Sequence, residues 1–119
     1  MEKTKLNKLT DEQICFQLIL HSGNARSKVI QSLREYRAGS VGKAEKLLVQ
    51  AEEDLRQSHD IHFQMVQQEA GGKKQDVSLL LIHAEDHLMS TLTMKELVYE
   101  LLEIFKDKIQ DAPNRIEGR

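Results

Sequence analysis

The 119 residues carry 17 basic and 19 acidic side chains with five histidines, for a formal net charge of −2. That near balance gives no global field to draw the chain onto nucleic acid or an anionic membrane surface, which argues against a dedicated DNA or RNA binder. With 39% apolar and 30% charged residues, few aromatics and no tryptophan, the chain has the size for one core and the composition of an all-α bundle.

No stretch approaches the roughly 18 uncharged apolar residues of a membrane span, and the opening MEKTKLNKLT lacks the apolar core of a signal peptide. A cytoplasmic protein is therefore expected. Cys15 is the single cysteine, so no internal disulfide can form, and its neighbours Ile14 and Phe16 suggest a structural place in or near a helical core. The domain expected is residues 1–109, followed by a tail over 110–119. The tail ends in Ile116-Glu117-Gly118-Arg119, the recognition sequence of a protease used to remove affinity tags.

The first predicted helix starts at Thr10, where Thr10-Asp11-Glu12-Gln13 fits a capping box, and runs to about Ala38. Ile14, Leu18, Ala25, Val29 and Tyr36 recur at spacings of four and seven, with Ile19, Ile30 and Leu33 widening the stripe. Gly23 inside it costs roughly 1 kcal/mol against alanine, which hints at the close approach of another backbone. Gly39 supplies a stop, and Ser40 is placed to cap the second helix, whose expected inner face is Ala44, Leu47, Leu48, Ala51, Leu55, His62 and Val66.

Gly71-Gly72 ends that helix, and Gly71 to Gln75 forms a polar connection. Asp76 is placed to cap a third helix reaching about Ile109, with Pro113, the only proline, beyond it. Leu80, Ala84, Leu88, Leu92, Val98, Leu102 and Phe105 give this helix one broad apolar face. Leu79, Met94, Leu97 and Leu101 carry the apolar surface well round it, so two partner helices cannot cover it and an oligomer is expected.

The polar residues that break this pattern hold the chemistry. At about 100° per residue, His83, Asp86, His87 and Ser90 share one side of the third helix, between Leu79 before them and Met94, Leu97 and Leu101 after, and partial enclosure is expected. A carboxylate and two imidazoles so spaced suit a metal site, a proton-transfer pair or a histidine nucleophile. Two core-edge histidines satisfied by hydrogen bonds would look the same, and spacing alone leaves all four open. His59 and His62 in the second helix lack an evident third metal ligand. His21 and the run Glu52-Glu53-Asp54 read as solvated positions.

The segment His83-Ala84-Glu85-Asp86-His87-Leu88-Met89, following the apolar run Val77 to Ile82, resembles the active-site segment of the lactose/cellobiose enzyme IIA family of bacterial sugar phosphotransferase systems, written His-Ala-x-Asp-His-Leu-Met. Ser22-Gly23-Asn24-Ala25-Arg26-Ser27 resembles the family's Ser-Gly-x-Ala-Arg-Ser, and Glu69-Ala70-Gly71 closes the second helix in family fashion. The similarity covers about residues 11 to 106. Where the family more often has Ala-His-x-x-Gln-Thr, His59 matches while His62 and Phe63 depart.

The resemblance implies an antiparallel three-helix protomer assembling into a homotrimer, a nine-helix bundle with the third helices around the axis. It implies that His83 accepts a phosphoryl group on its tele nitrogen from the histidine-containing phosphocarrier protein and passes it to a cysteine of enzyme IIB. The transported sugar would be a lactose/cellobiose-type disaccharide or a β-glucoside, with the membrane met only indirectly, through enzyme IIC. Asp86 matches the residue whose three copies bind a metal ion on the axis, where a hard divalent ion such as Mg²⁺, or else a proton-sharing or water-filled cluster, would relieve the repulsion of three carboxylates; His87 matches the second family histidine in a supporting role. Neutral imidazole is a good nucleophile near pH 7, and by spacing His87 and Ser90 are candidate donors to phosphoryl oxygens.

Overall fold

The computed structural model describes Leu6–Glu117, with side chains to Lys108 except that of Asn7. Met1–Lys5 and the final Gly118-Arg119 of the protease sequence lie outside the described residues. A short 3-10 turn, Leu6–Lys8, leads into three helices: α1 (Asp11–Arg37), α2 (Val41–Ala70) and α3 (Leu79–Glu117). No strand occurs among the described residues, so the expected all-helical, three-helix protomer is what forms.

The helix ends follow from local chemistry. At the start of α1 the Thr10 hydroxyl accepts from the Gln13 N–H at 3.1 Å while the Gln13 side chain accepts from the Thr10 N–H at 2.9 Å, the reciprocal box expected. α1 closes with Gly39 at φ 91° and the Ser40 N–H donating to the Glu35 carbonyl at 2.9 Å. Glycine reaches that left-handed geometry without a Cβ penalty. Gly72 at φ 98° closes α2 in the same way, with the Lys73 N–H donating to the Gln68 carbonyl at 2.9 Å.

Three expectations about the helix ends are corrected. Ser40 precedes α2, but its ψ of 68° differs from the 162° of Thr10, and its hydroxyl makes no capping bond. Ser78, not Asp76, caps α3: its hydroxyl accepts from the Leu81 N–H at 3.1 Å and its carbonyl from the Ile82 N–H at 3.0 Å. Both residue types cap well, and the one adjoining the first helical residue prevails. α3 also continues through Pro113 to Glu117 instead of stopping near Ile109. A proline removes one intrahelical bond, at about 3 kcal/mol, yet the residues flanking it are otherwise compatible with a helix.

The bundle is a rod of 64 × 22 × 22 Å with a radius of gyration of 18.4 Å, where a compact chain of this length would have about 13 to 14 Å. Its helices run up, down and up, so α1 and α3 are parallel. α1 is the hub, packing on both other helices, whereas α2 and α3 meet along a shorter seam. The core is Ile14, Leu18, Ala25 and Val29 of α1, Ala44, Leu48, Ala51, Leu55, Ile61 and Met65 of α2, and Ala84, Leu88, Val98 and Leu102 of α3.

On α2 the buried face turns away from that expected beyond Leu55: Ile61 and Met65 go inside, His62 is partly buried and Val66 is exposed. Small hydroxyls fill the gaps between the helices. Ser22 and Ser58 face each other at 3.1 Å between α1 and α2, and Ser32 donates to the Ala44 carbonyl at 2.7 Å. The acidic run of α2 is not simply solvated, because Asp54 pairs with Lys28 at 2.6 Å and Glu52 with Lys95 at 3.2 Å, stitching α2 to each neighbour. His21 is partly buried against Gln17 at 3.1 Å.

Cys15 is buried, and burial first, then Asp11, Glu85 and Glu12, pushes its thiol pKa up. That fits the structural reading, since the thiolate needed for reactivity is disfavoured.

Candidate functional site

The site grows from the second turn of α3 and the α1 segment beside it. Ala84 and Leu88 are fully buried and anchor α3 to the core. On an α-helix that fixes where the residues between them point. His83 and Asp86 are carried to the exposed side, while His87 and Ser90 lie at the partly buried edge facing α1. The partial enclosure expected from sequence therefore applies to His87 and Ser90 within the protomer, and not to His83 or Asp86, because α1 covers only one flank of the stripe.

The His83 and His87 rings meet edge to face with centroids 5.7 Å apart. Gly23 of α1 lies beneath His87, and a Cβ built there would stand 3.8 Å from the His87 Cε1. The close approach expected at Gly23 is thus that of an imidazole and not of another backbone. The His87 Nδ1 is buried without a hydrogen-bond partner. Its pKa is lowered, first by burial, then by the Arg26 guanidinium and by His83, with Asp86 and a backbone hydrogen bond acting the other way. His87 is therefore held neutral near pH 7.

Arg26 is the part to which the sequence pattern assigns no role, although it lies in a family-like segment. Its Nη2 donates to the Ser90 hydroxyl from across the α1–α3 groove. Ser90 in turn donates to the Asp86 carbonyl at 2.7 Å, and Thr91 to the His87 carbonyl at 2.6 Å. The Ser90 proton is therefore committed to the backbone, and the serine acts as an acceptor for Arg26 instead of as a donor to an incoming group.

On the far side of the histidines, Glu85 meets His62 of α2, with carboxylate oxygens 2.7 and 2.9 Å from Nδ1. His59 stacks on Phe63 at 6.5 Å. The two α2 histidines thus have separate partners. Among the described residues no three His, Cys, Asp or Glu side chains converge as a metal site within one chain. In particular His83, Asp86 and His87 do not converge, since about 100° of helix separates Asp86 from His87.

Asp86 stands instead in a second stripe of α3. Leu79 (82% exposed), Ile82 (54%), Met89 (43%) and Leu97 (59%) flank it on the face turned away from α1 and α2. Asp86 makes no ion pair with any cation among the described residues.

The all-helical rod thus presents a solvent-open histidine in edge contact with a partly buried imidazole that lies near an arginine. Known proteins specify the chemistry. The family model for the lactose/cellobiose-specific IIA subunit of the phosphotransferase system matches residues 13–106. An oligo-β-mannoside-specific EIIA component of Bacillus subtilis is 64% identical over 91% of this chain and 98% of its own length. A lichenan-specific enzyme IIA component of the same organism is 40% identical over 80% of this chain and 86% of its own. The crystal structure of a cellobiose-specific enzyme IIA from Bacillus anthracis superposes with a TM-score of 0.78 at 40% identity, covering 87% of this chain and 95% of that one. The chitobiose IIA of Escherichia coli, solved in complex with HPr, gives 0.68 at 30% identity, covering 87% and 96%.

The chain belongs to the lactose/cellobiose-specific IIA family of the phosphotransferase system. It is a phosphotransferase component, one of a family that transfers phosphate through a phosphohistidine. No described helix is long and apolar enough to cross a membrane.

Proposed function

We propose that His83 is the phosphorylated residue, taking its phosphoryl group from the histidine-containing phosphocarrier protein and handing it to a cysteine of the cognate enzyme IIB. The observation that carries this is the position of His83. Of the two histidines in the family-like segment, it is the exposed one, while His87 is partly buried against Gly23. A residue that must meet two other proteins in turn needs that accessibility. Transfer between them rests mainly on alignment and charge stabilisation. Neutral His87, one turn along, supports the His83 ring.

The protomer acts as a homotrimer with α3 at the centre. The exposed apolar residues Leu79, Ile82, Met89 and Leu97 fall along one side of α3, and a continuous apolar stripe on a helix is normally covered by another helix. Copies of Asp86 in that seam would bring three carboxylates together, which repel unless protonated or neutralised. The donor set is oxygen only and, among the described residues, Asp86 has no ion-paired cation, which fits a hard divalent ion such as Mg²⁺ in a structural role.

Serving the transport system from the cytoplasmic side, the chain would support uptake of a β-linked oligosaccharide. The 64%-identical relative is named for oligo-β-mannosides and relatives at 32 to 40% for lichenan, lactose and diacetylchitobiose, so oligo-β-mannosides are the first sugars to test.

The test is phosphorylation of the purified protein by phosphoenolpyruvate, enzyme I and the phosphocarrier, read as intact mass. A gain of one phosphoryl group in wild type and none in His83→Ala is expected. Labelling that survives His83→Ala would remove His83 from the mechanism.

A further inference from the structure

Arg26 is a charge without a counter-charge. Its Nε is buried with no hydrogen-bond partner, and no carboxylate among the described residues pairs with it. Its Nη2 rests on a neutral hydroxyl, that of Ser90. A guanidinium drawn partly out of water is normally matched by an anion, because desolvating it unpaired is costly. The unmatched arginine lies beside His87, whose ring is in edge contact with that of His83. Five N–H donors in a planar fork suit the oxygens of a phosphoryl group.

Resting on the phosphohistidine reading above, we propose that Arg26 is the cation that receives the phosphoryl group of His83, with Ser90 as the positioning residue that holds it ready. In the transfer, a nitrogen lone pair of neutral His83 forms the new N–P bond while the N–P bond of the donor phosphohistidine breaks, its electron pair returning to the donor ring. No proton need move, and His83 keeps its other N–H.

Arg26 bridges α1 to the histidine helix and, among the described residues, has no carboxylate partner, so it is free to meet the negative charge that arrives with the phosphorus. The lysines ion-paired across helices, Lys28, Lys43, Lys95 and Lys106, each already have a carboxylate. Exchanging the neutral Ser90 acceptor for phosphoryl oxygens trades a hydrogen bond with one charged partner for bonds in which donor and acceptor carry opposite charges, with the fork geometry that arginine offers to phosphate. The contact to Ser90, whose own proton is fixed on the Asp86 carbonyl, therefore acts as a parking place on the unphosphorylated protein.

The experiment compares wild type, Arg26→Gln, Arg26→Lys and Ser90→Ala with phosphorylated phosphocarrier as donor. Labelling rate, the final partition of phosphate between donor and acceptor, and the ³¹P shift of the product are read, and thermal melts report folding. Loss of one charge-stabilising donor costs about 100-fold in comparable sites. Arg26→Gln should therefore label at least tenfold more slowly, shift the partition toward the donor and move the ³¹P resonance while melting like wild type. Arg26→Lys, which keeps the charge but not the fork, should recover part of the rate, and Ser90→Ala should lose only a few-fold.

Wild-type rate and partition in Arg26→Gln, with wild type itself labelled on His83, would overturn the assignment. The assignment also falls if Arg26→Gln is misfolded and Arg26→Lys is folded but no better than it. An unlabelled wild type would instead sink the phosphohistidine reading on which the assignment rests.

Discussion

Replacing Gly23 separates helix propensity from crowding at the site. Gly23 lies in the interior of α1, where glycine costs about 1 kcal/mol relative to alanine. The Cβ of an alanine there would stand 3.8 Å from the His87 Cε1, an ordinary van der Waals distance, with nothing else within 4 Å. Gly23→Ala should therefore stabilise the protein by roughly 0.5 to 1 kcal/mol and leave phosphorylation intact. Gly23→Leu extends into the volume that the imidazole occupies. It should forfeit that gain, cost roughly 1 to 3 kcal/mol by overpacking and slow phosphorylation by displacing His87 from His83. Urea denaturation at fixed protein concentration gives the free energies and the labelling assay gives the rates. A Gly23→Ala protein less stable than wild type would refute the reasoning, since the glycine would then be accommodating something closer than His87.

Leu88→Ala deletes a fully buried side chain one residue from His87 and should cost about 2 to 5 kcal/mol in urea denaturation; a loss below about 1 kcal/mol would show that the core is not anchored there. The Cys15 thiol should resist thiol reagents in the folded protein and react on unfolding. Because burial raises its pKa, the folded chain keeps the proton to higher pH than the unfolded one. Its contribution to stability is therefore complete below the ordinary thiol range and falls as pH rises through it, which urea titrations at rising pH would check against Cys15→Ala. If three Asp86 carboxylates share a cation, a chelator should loosen the wild-type oligomer in sedimentation experiments and leave Asp86→Asn unaffected; equal sensitivity of both would place any metal elsewhere.

Much of this architecture is readable because the helix signals are local. Thr10 and Gln13 are three residues apart and need nothing from the rest of the chain to form their box. Gly39 and Gly72 take up positive φ where the periodicity stops. The histidine stripe is legible for the same reason, since four residues within eight positions on one helix have fixed relative directions. What escapes depends on contacts distant in sequence. The Arg26–Ser90 bond spans 64 residues and the His62–Glu85 pair 23, and no spacing rule announces either. The shift of α2 from His62 and Val66 to Ile61 and Met65 likewise follows from the way α1 seats it, with Ser58 fitted against Ser22. Asp76 and Ser78 are equally good caps on paper, and only the chain's path into α3 separates them.

The exposed position of His83 on the flank of a narrow rod also constrains kinetics. With His83 as the proposed carrier, one nitrogen on one open face would serve donor and acceptor alike, so the two would contend for the same ground, and a three-way encounter in which both engage it would be sterically barred. Flux through such a carrier then depends on how quickly each visitor leaves. Mutations that tighten either complex by slowing its dissociation would throttle transport even while they improve binding.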